Sequence, residues 1–120
     1  MVNFNYQEIL NNLSKSKFRS SFHLSSKDKE YIRLKGLPTI KIHAYEFIMK
    51  RLAPKIIPND GKQTPYKGHP VFISQHHCAC CCRKCLNKWY HIPLNTQLTN
   101  KQVDFIVNLI MAFIDEEMKK

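Results

Sequence analysis

Glycine is scarce in this 120-residue chain, at three residues, and tryptophan occurs once. No glycine-rich phosphate loop, serine elbow or His-Glu-x-x-His helix can be written along it, so the chemistries those motifs carry have nothing to rest on. No apolar run nears the roughly 18 residues that a spanning helix needs. The opening MVNFNYQEIL lacks the charged-then-apolar layout of a secretory signal. These absences exclude a membrane protein and a secreted one, and a cytoplasmic location is expected. Acidic residues are also few, nine against nineteen Lys and Arg, which leaves a net charge of +10. Residues 61–103 hold six basic side chains and no carboxylate. A Mg²⁺ or Ca²⁺ site is not expected there, since hard cations take oxygen ligands.

What is present reads as an ordinary globular composition, with 43% hydrophobic and 23% charged residues. The length suits one domain over residues 1–120. Within it we expect an N-terminal helix and basic arm over 1–24, a polar loop over 54–70, a Cys/His segment over 69–91 and a core helix over 99–118. Tyr6, Ile9, Leu10 and Leu13 sit at helical spacing in a helix expected over 4–13. The serine-rich basic stretch from Ser14 to Phe22 reads as a linker whose Phe18 and Phe22 pack on the core; the alternative is an arm contacting phosphate. Ser25 or Ser26 caps a further helix that Gly36 stops. Pro38 opens a third, striped by Leu37, Ile40, Ala44, Phe47, Ile48 and Leu52 and ended by Pro54. Pro70 starts a fourth helix, although Val71–Ile73 alone also fits a short strand. Arg83–Tyr90 returns to helix. Thr99 with Gln102 forms a capping box ahead of a stripe of Val103, Ile106, Val107, Ile110, Phe113 and Ile114. The sum is an all-α domain of five or six helices.

The five cysteines, Cys78, Cys80, Cys81, Cys82 and Cys85, fall within eight residues. Neighbours this close cannot staple distant segments, and the count is odd, so a disulfide scaffold is a poor fit. Two Cys-x-x-Cys pairs exist, Cys78 with Cys81 and Cys82 with Cys85, a spacing that lets two thiolates share one tetrahedral ion. His76, His77 and His69 offer nitrogen, and zinc favours such mixed donors. Arg83 and Lys84 lie within the second pair, where their charge favours thiolate. Zinc is the expected ion, ahead of iron–sulfur or haem. Thiols without metal, buried as small hydrophobes, are the competing structural reading.

The basic balance favours nucleic acid or another anion as partner. Asp60, Lys62 and Gln63 in the loop, with Arg83 and Trp89, are the candidate anion- or substrate-binding residues. An enzymatic alternative puts a Cys thiolate, or a metal-bound water, in a pocket formed by the 59–69 loop and the Cys/His segment. A third alternative is a redox-responsive interaction module.

Several strings stand out together: Lys17-Phe-Arg-Ser-Ser-Phe-His-Leu-Ser, Arg51-Leu-Ala-Pro, Asn59-Asp-Gly-Lys-Gln-Thr-Pro, Gly68-His-Pro-Val-Phe-Ile, Gln75-His76 and Cys81-Cys-Arg-Lys-Cys-Leu-Asn-Lys-Trp89. On these residues the chain resembles a small bacterial and phage family of unknown function, over residues 14–114. The resemblance brings no established activity. It implies a shared set of His69, His76, Cys81, Cys82, Cys85 and Trp89, with Cys78 and Cys80 as local additions. The expected site is therefore one zinc ion, chiefly structural, on Cys81, Cys82, Cys85 and His76, with His69 in reserve.

Overall fold

A computed structural model describes residues 5–120. Seven helices and no strand occur among the described residues. They are α1 (Tyr6–Ser14), α2 (Lys17–Ser20), α3 (Ser26–Lys35), α4 (Leu37–Arg51), α5 (Pro70–His77), α6 (Arg83–Tyr90) and α7 (Asn100–Met118). The all-α class is as expected. The number of helices exceeds five or six because the serine-rich stretch folds into the one-turn α2, capped by the Ser16 hydroxyl on the Arg19 amide. The expectation that Phe18 packs on the core is corrected as well: the residue is 53% exposed. Val71–Ile73 is helical, not extended. The first position of the 4–13 helix lies outside the described residues.

Local chemistry explains where the helices begin. Ser25 and Asp28 exchange side-chain and backbone hydrogen bonds in a capping box, as do Thr99 and Gln102. Gly36 separates α3 from α4 at φ 87°, a conformation that L-residues rarely adopt. Pro38 then occupies the first turn of α4, where its missing N–H costs nothing.

The core forms where α7 crosses α4, α5 and α1. Ile106, Val107, Leu109, Ile110 and Ile114 of α7 are fully buried, as are Ile40, Ala44 and Ile48 of α4. Each large aliphatic side chain removed from water contributes about 1.5–3 kcal/mol before cavity effects. The segments between helices are fastened by one buried cation. The Arg83 guanidinium donates to the carbonyl oxygens of Leu52 (3.2 Å), Pro54 (3.1 Å), Pro93 (2.8 Å) and Thr96 (2.7 Å). The Leu98 amide adds a bond to the Ala53 carbonyl. Both approaches to the Cys/His segment are thereby tied to one helix. No helix among the described residues is long and apolar enough to cross a membrane.

Candidate metal centre

Helix α5 ends in a tight reversal that aims the chain back at itself. The Ala79 amide bonds to the His76 carbonyl and the Cys80 amide to the Gln75 carbonyl, with Ala79 left-handed at φ 55°. This is the hydrogen-bond pattern of a Schellman stop, with alanine in glycine's usual place. Cys78 and Cys80 turn into the core, each with no exposed surface, and burial pushes both thiols well above their ordinary pKa. The next three cysteines turn the other way.

Cys82 is the N-cap of α6, its sulfur accepting from the Cys85 amide. One helical turn therefore sets Cys85 against Cys82, with sulfurs 3.2 Å apart, and Cys81 lies 3.6 Å from Cys85. All three ligand atoms fall within 4.8 Å of one another. In a tetrahedral zinc site with bonds of about 2.3 Å, sulfur–sulfur edges measure about 3.8 Å, so a spread of a few tenths of an ångström seats an ion.

Arg19, from α2, closes the group. Its guanidinium donates to the His76 carbonyl at 2.7 Å, to the Cys85 sulfur at 3.1 Å and to the Cys81 sulfur at 3.6 Å, while lying over the Phe18 ring at 5.0 Å. Hydrogen bonds from Cys81 and Cys82, then the Arg19 charge, hold the Cys85 thiol far below its usual pKa. Cys82 is raised by its bonds with Cys81 and Cys85. Burial works against the Arg19 cation, but the two sulfurs more than restore it. Together these shifts describe one thiolate, Cys85, that accepts from two neighbouring thiols and from the guanidinium that balances its charge.

His76 stands beside this group with its tautomer determined by its neighbours. Its Nε2 lies 3.0 and 3.1 Å from the carbonyl oxygens of Thr64 and Pro65. Carbonyls only accept, so Nε2 carries the hydrogen and Nδ1 keeps its lone pair. That Nδ1 is buried and has no hydrogen-bond partner. Burial lowers the His76 pKa, and the carbonyl bonds and the Cys85 charge oppose this in part. The ring is held flat by Tyr66 at 4.0 Å and Phe22 at 5.3 Å. His76 does not lie within 4.8 Å of all three sulfurs.

The polar loop braces the centre from behind. Asp60 accepts from the amides of Arg83 (2.9 Å) and Lys84 (3.1 Å), capping α6 electrostatically. Burial would raise its pKa, but Gln63 at 2.7 Å and these two amides hold it below the usual carboxylate range. The Thr64 hydroxyl donates to the Cys81 carbonyl at 2.8 Å, and Gln75 donates to the Cys80 carbonyl at 3.1 Å.

The sequence-expected residues thus divide. The structure brings Cys81, Cys82 and Cys85 together and places His76 alongside. It does not bring His69 to the sulfurs: His69 caps α5, its Nδ1 accepting from the Val71 amide, and its Nε2 meets His43 Nδ1 at 3.0 Å. Asp60 and Gln63 hold α6 and the loop, and Arg83 holds four backbone carbonyls. Trp89 is half-buried against the core on α6, and Lys62 is exposed on the loop. A cavity of about 130 Å³ beside Asp60 is lined by Lys55, Lys84 and Leu94 among others, and by none of the cysteines. The sequence alone gives Thr64 no site role and Arg19 only a place, with Lys15 and Lys17, in the alternative phosphate-contacting arm. Their roles arise from contacts spanning 62 and 17 residues, which no local pattern records.

Residues 7–115 match the family described as a domain of unknown function, DUF4186. The chain belongs to this family. The match covers every element from α1 onward to the last turn of α7, and so includes the whole Cys81–Cys82–Cys85 group with Arg19, Thr64 and His76. No solved structure matches the chain. For this DUF4186 member, the functional reading rests on the geometry just given.

Proposed function

We propose that this protein holds one zinc ion through Cys81, Cys82, Cys85 and His76 Nδ1, and that the ion is structural, ordering the 76–90 segment against the loop. The reading is carried by one juxtaposition: three sulfurs within 4.8 Å of one another, beside a histidine whose Nε2 is committed and whose buried Nδ1 has no partner. A metal-bound histidine with its far nitrogen hydrogen-bonded to carbonyls is a common arrangement. Three thiolates and one cation carry a single net negative charge, and Arg19 balances it. Four protein donors close a tetrahedron, which suits a structural role better than a catalytic one. The lysine-rich exterior then receives an anionic partner.

Elemental analysis of protein purified without added metal tests this. About one equivalent of zinc is expected, and under about one-tenth equivalent in a folded sample sinks the reading. Cys82→Ser should lose the metal and destabilise the fold, whereas a folded Cys82→Ser protein retaining stoichiometric zinc counts against the ligand set.

A second reading has its own observation, the 3.2 Å between Cys82 and Cys85 sulfurs. With hydrogen peroxide as oxidant, these two thiols form one disulfide, and their two electrons and two protons convert the hydrogen peroxide to two waters. Peroxide treatment followed by alkylation and mass measurement should then show two thiols protected and recovered by a reductant. Unchanged alkylation after peroxide removes the redox reading.

A further inference from the structure

Phe18 and Tyr66 are the aromatic members of the exposed large hydrophobic side chains among the described residues, at 53% and 61% exposure. They come from segments far apart in sequence, yet they belong to one strip. Phe22 lies between them, edge-on to Phe18 at 5.1 Å and stacked with Tyr66 at 6.0 Å. Tyr66 in turn stacks on His76, interplanar angle 8°, and Arg19 lies under Phe18. The strip is therefore rigidly backed by the candidate metal centre while its outer rings remain in water.

The segments that supply the strip are basic, and the Glu117 carboxylate that reaches His23 and Leu24 from α7 is itself paired with Lys120. Residues 9–27 and 61–103, which supply the strip and its backing, contain no carboxylate. Lys17 precedes Phe18 and Lys67 follows Tyr66, both exposed, and Lys15 is exposed on the same segment as Lys17. A partner suited to this face presents flat π-surfaces at intervals along a negatively charged backbone. An acidic protein supplies the charge without a regular series of flat rings. A duplex supplies charge but keeps its base faces inside the stack. Single-stranded nucleic acid offers both features, and stacking on aromatic side chains flanked by lysines is its general mode of recognition.

We infer that the Phe18–Phe22–Tyr66 strip is a stacking platform for single-stranded nucleic acid, with Lys17 and Lys67 meeting its phosphates. This deepens the anionic-partner part of the reading above and rests on it. Zinc content is a separate measurement, so failure of one is distinguishable from failure of the other.

The test is fluorescence anisotropy of the full-length protein, as purified, with oligothymidine and oligouridine probes of about 20 nucleotides, long enough for more than one stacking site. Zinc is quantified on the same samples. Binding is expected for at least one probe at about 50 mM salt, weakening steeply towards about 200 mM. Phe18→Ala should weaken it by about fivefold or more, and Phe18→Tyr should restore it. Tyr66→Phe keeps the ring over His76 and should bind as the parent does. Lys17→Gln and Lys67→Gln should each flatten the log–log salt slope by about 0.7. No binding of either probe at low salt overturns the inference. So does equal or tighter binding of a duplex of the same length, or a Phe18→Ala variant with parental affinity. Displacement of the probe by polyglutamate, with affinity for polyglutamate unaffected by Phe18→Ala, assigns the face to acidic protein instead and also overturns it. Binding with the expected pattern in a folded, zinc-free sample supports this inference and removes the metal reading alone.

Discussion

Arg19 is the residue whose loss should matter most. It is 7% exposed and satisfies a buried carbonyl and two sulfurs at once. Arg19→Ala leaves those groups without a donor, at an expected cost of about 2–4 kcal/mol. Arg19→Lys keeps the charge but cannot span three acceptors with a planar fork, so an intermediate loss is expected. Urea midpoints check the order, and competition against a chelator should show zinc held about 10- to 100-fold more weakly in Arg19→Ala. Parental stability in Arg19→Ala would mean the contacts are incidental. At this scale the sequence was legible in donor type and less so in position. Five cysteines in eight residues announced a thiol site, and their resemblance to a known pattern favoured Cys81, Cys82 and Cys85. That Cys78 and Cys80 enter the core follows from the left-handed turn at Ala79, a backbone event with no glycine to announce it. His77, adjacent to His76, instead stacks on Phe113 at 4.0 Å and meets the Phe22 carbonyl. One residue along a helix rotates a side chain by about 100°, and packing rather than composition decides that His77 meets Phe113 while His76 meets Tyr66.

Among the elements, α5 joins the bundle through a histidine pair. His69 Nδ1 accepts from the Val71 amide, so Nε2 carries the hydrogen and donates to His43 Nδ1 on α4. Burial, and then the neighbouring His43, lower the His69 pKa to about 4, with Asp28 opposing. The folded value lies below the ordinary 6.5. The unfolded chain therefore takes up the proton first as pH falls. This contribution is full above about pH 6.5 and declines towards pH 4, with a slope of up to about 1.4 kcal/mol per pH unit. His69→Asn keeps an acceptor for the Val71 amide and removes the titration. Denaturant midpoints between these pH values should therefore change less in His69→Asn than in the parent, and identical pH profiles would refute the argument. Helix boundaries were the most readable feature of this chain. Arg83–Tyr90, the Thr99–Gln102 box and the Gly36 break are local signals, and each is realised by local hydrogen bonds. Helix α2 escaped notice because four residues hold too few apolar positions to show a period. Asp60 and Gln63 looked like a binding loop for a related reason: a carboxylate capping a helix 23 residues away reads locally as an exposed acid.

Across the whole molecule, the far end of α7 is locked to the segment leading into α3 by Glu117. It is 2% exposed and accepts from the Leu24 amide at 3.0 Å, His23 at 3.2 Å and Lys120 at 2.9 Å. Burial pushes its pKa up, but Lys120, the Leu24 amide and His23 together bring it below 4.5. Its stabilisation is therefore present above the ordinary carboxylate range and is lost as acid titrates the folded state. Glu117→Gln should lower the thermal midpoint at pH 7 by several degrees, for a loss of about 1–2 kcal/mol, and should narrow the gap from the parent below about pH 4. An equal gap at both pH values would contradict this. The molecule's charge was legible from composition alone, whereas the meeting of three remote segments at one centre was not. That meeting has a consequence for biosynthesis. Arg19 leaves the ribosome 66 residues ahead of Cys85, with Thr64 in between. The guanidinium must wait, solvated, until the last of the three sulfurs is translated, and the centre is complete only shortly before α7, which packs on α4, α5 and α1, is made.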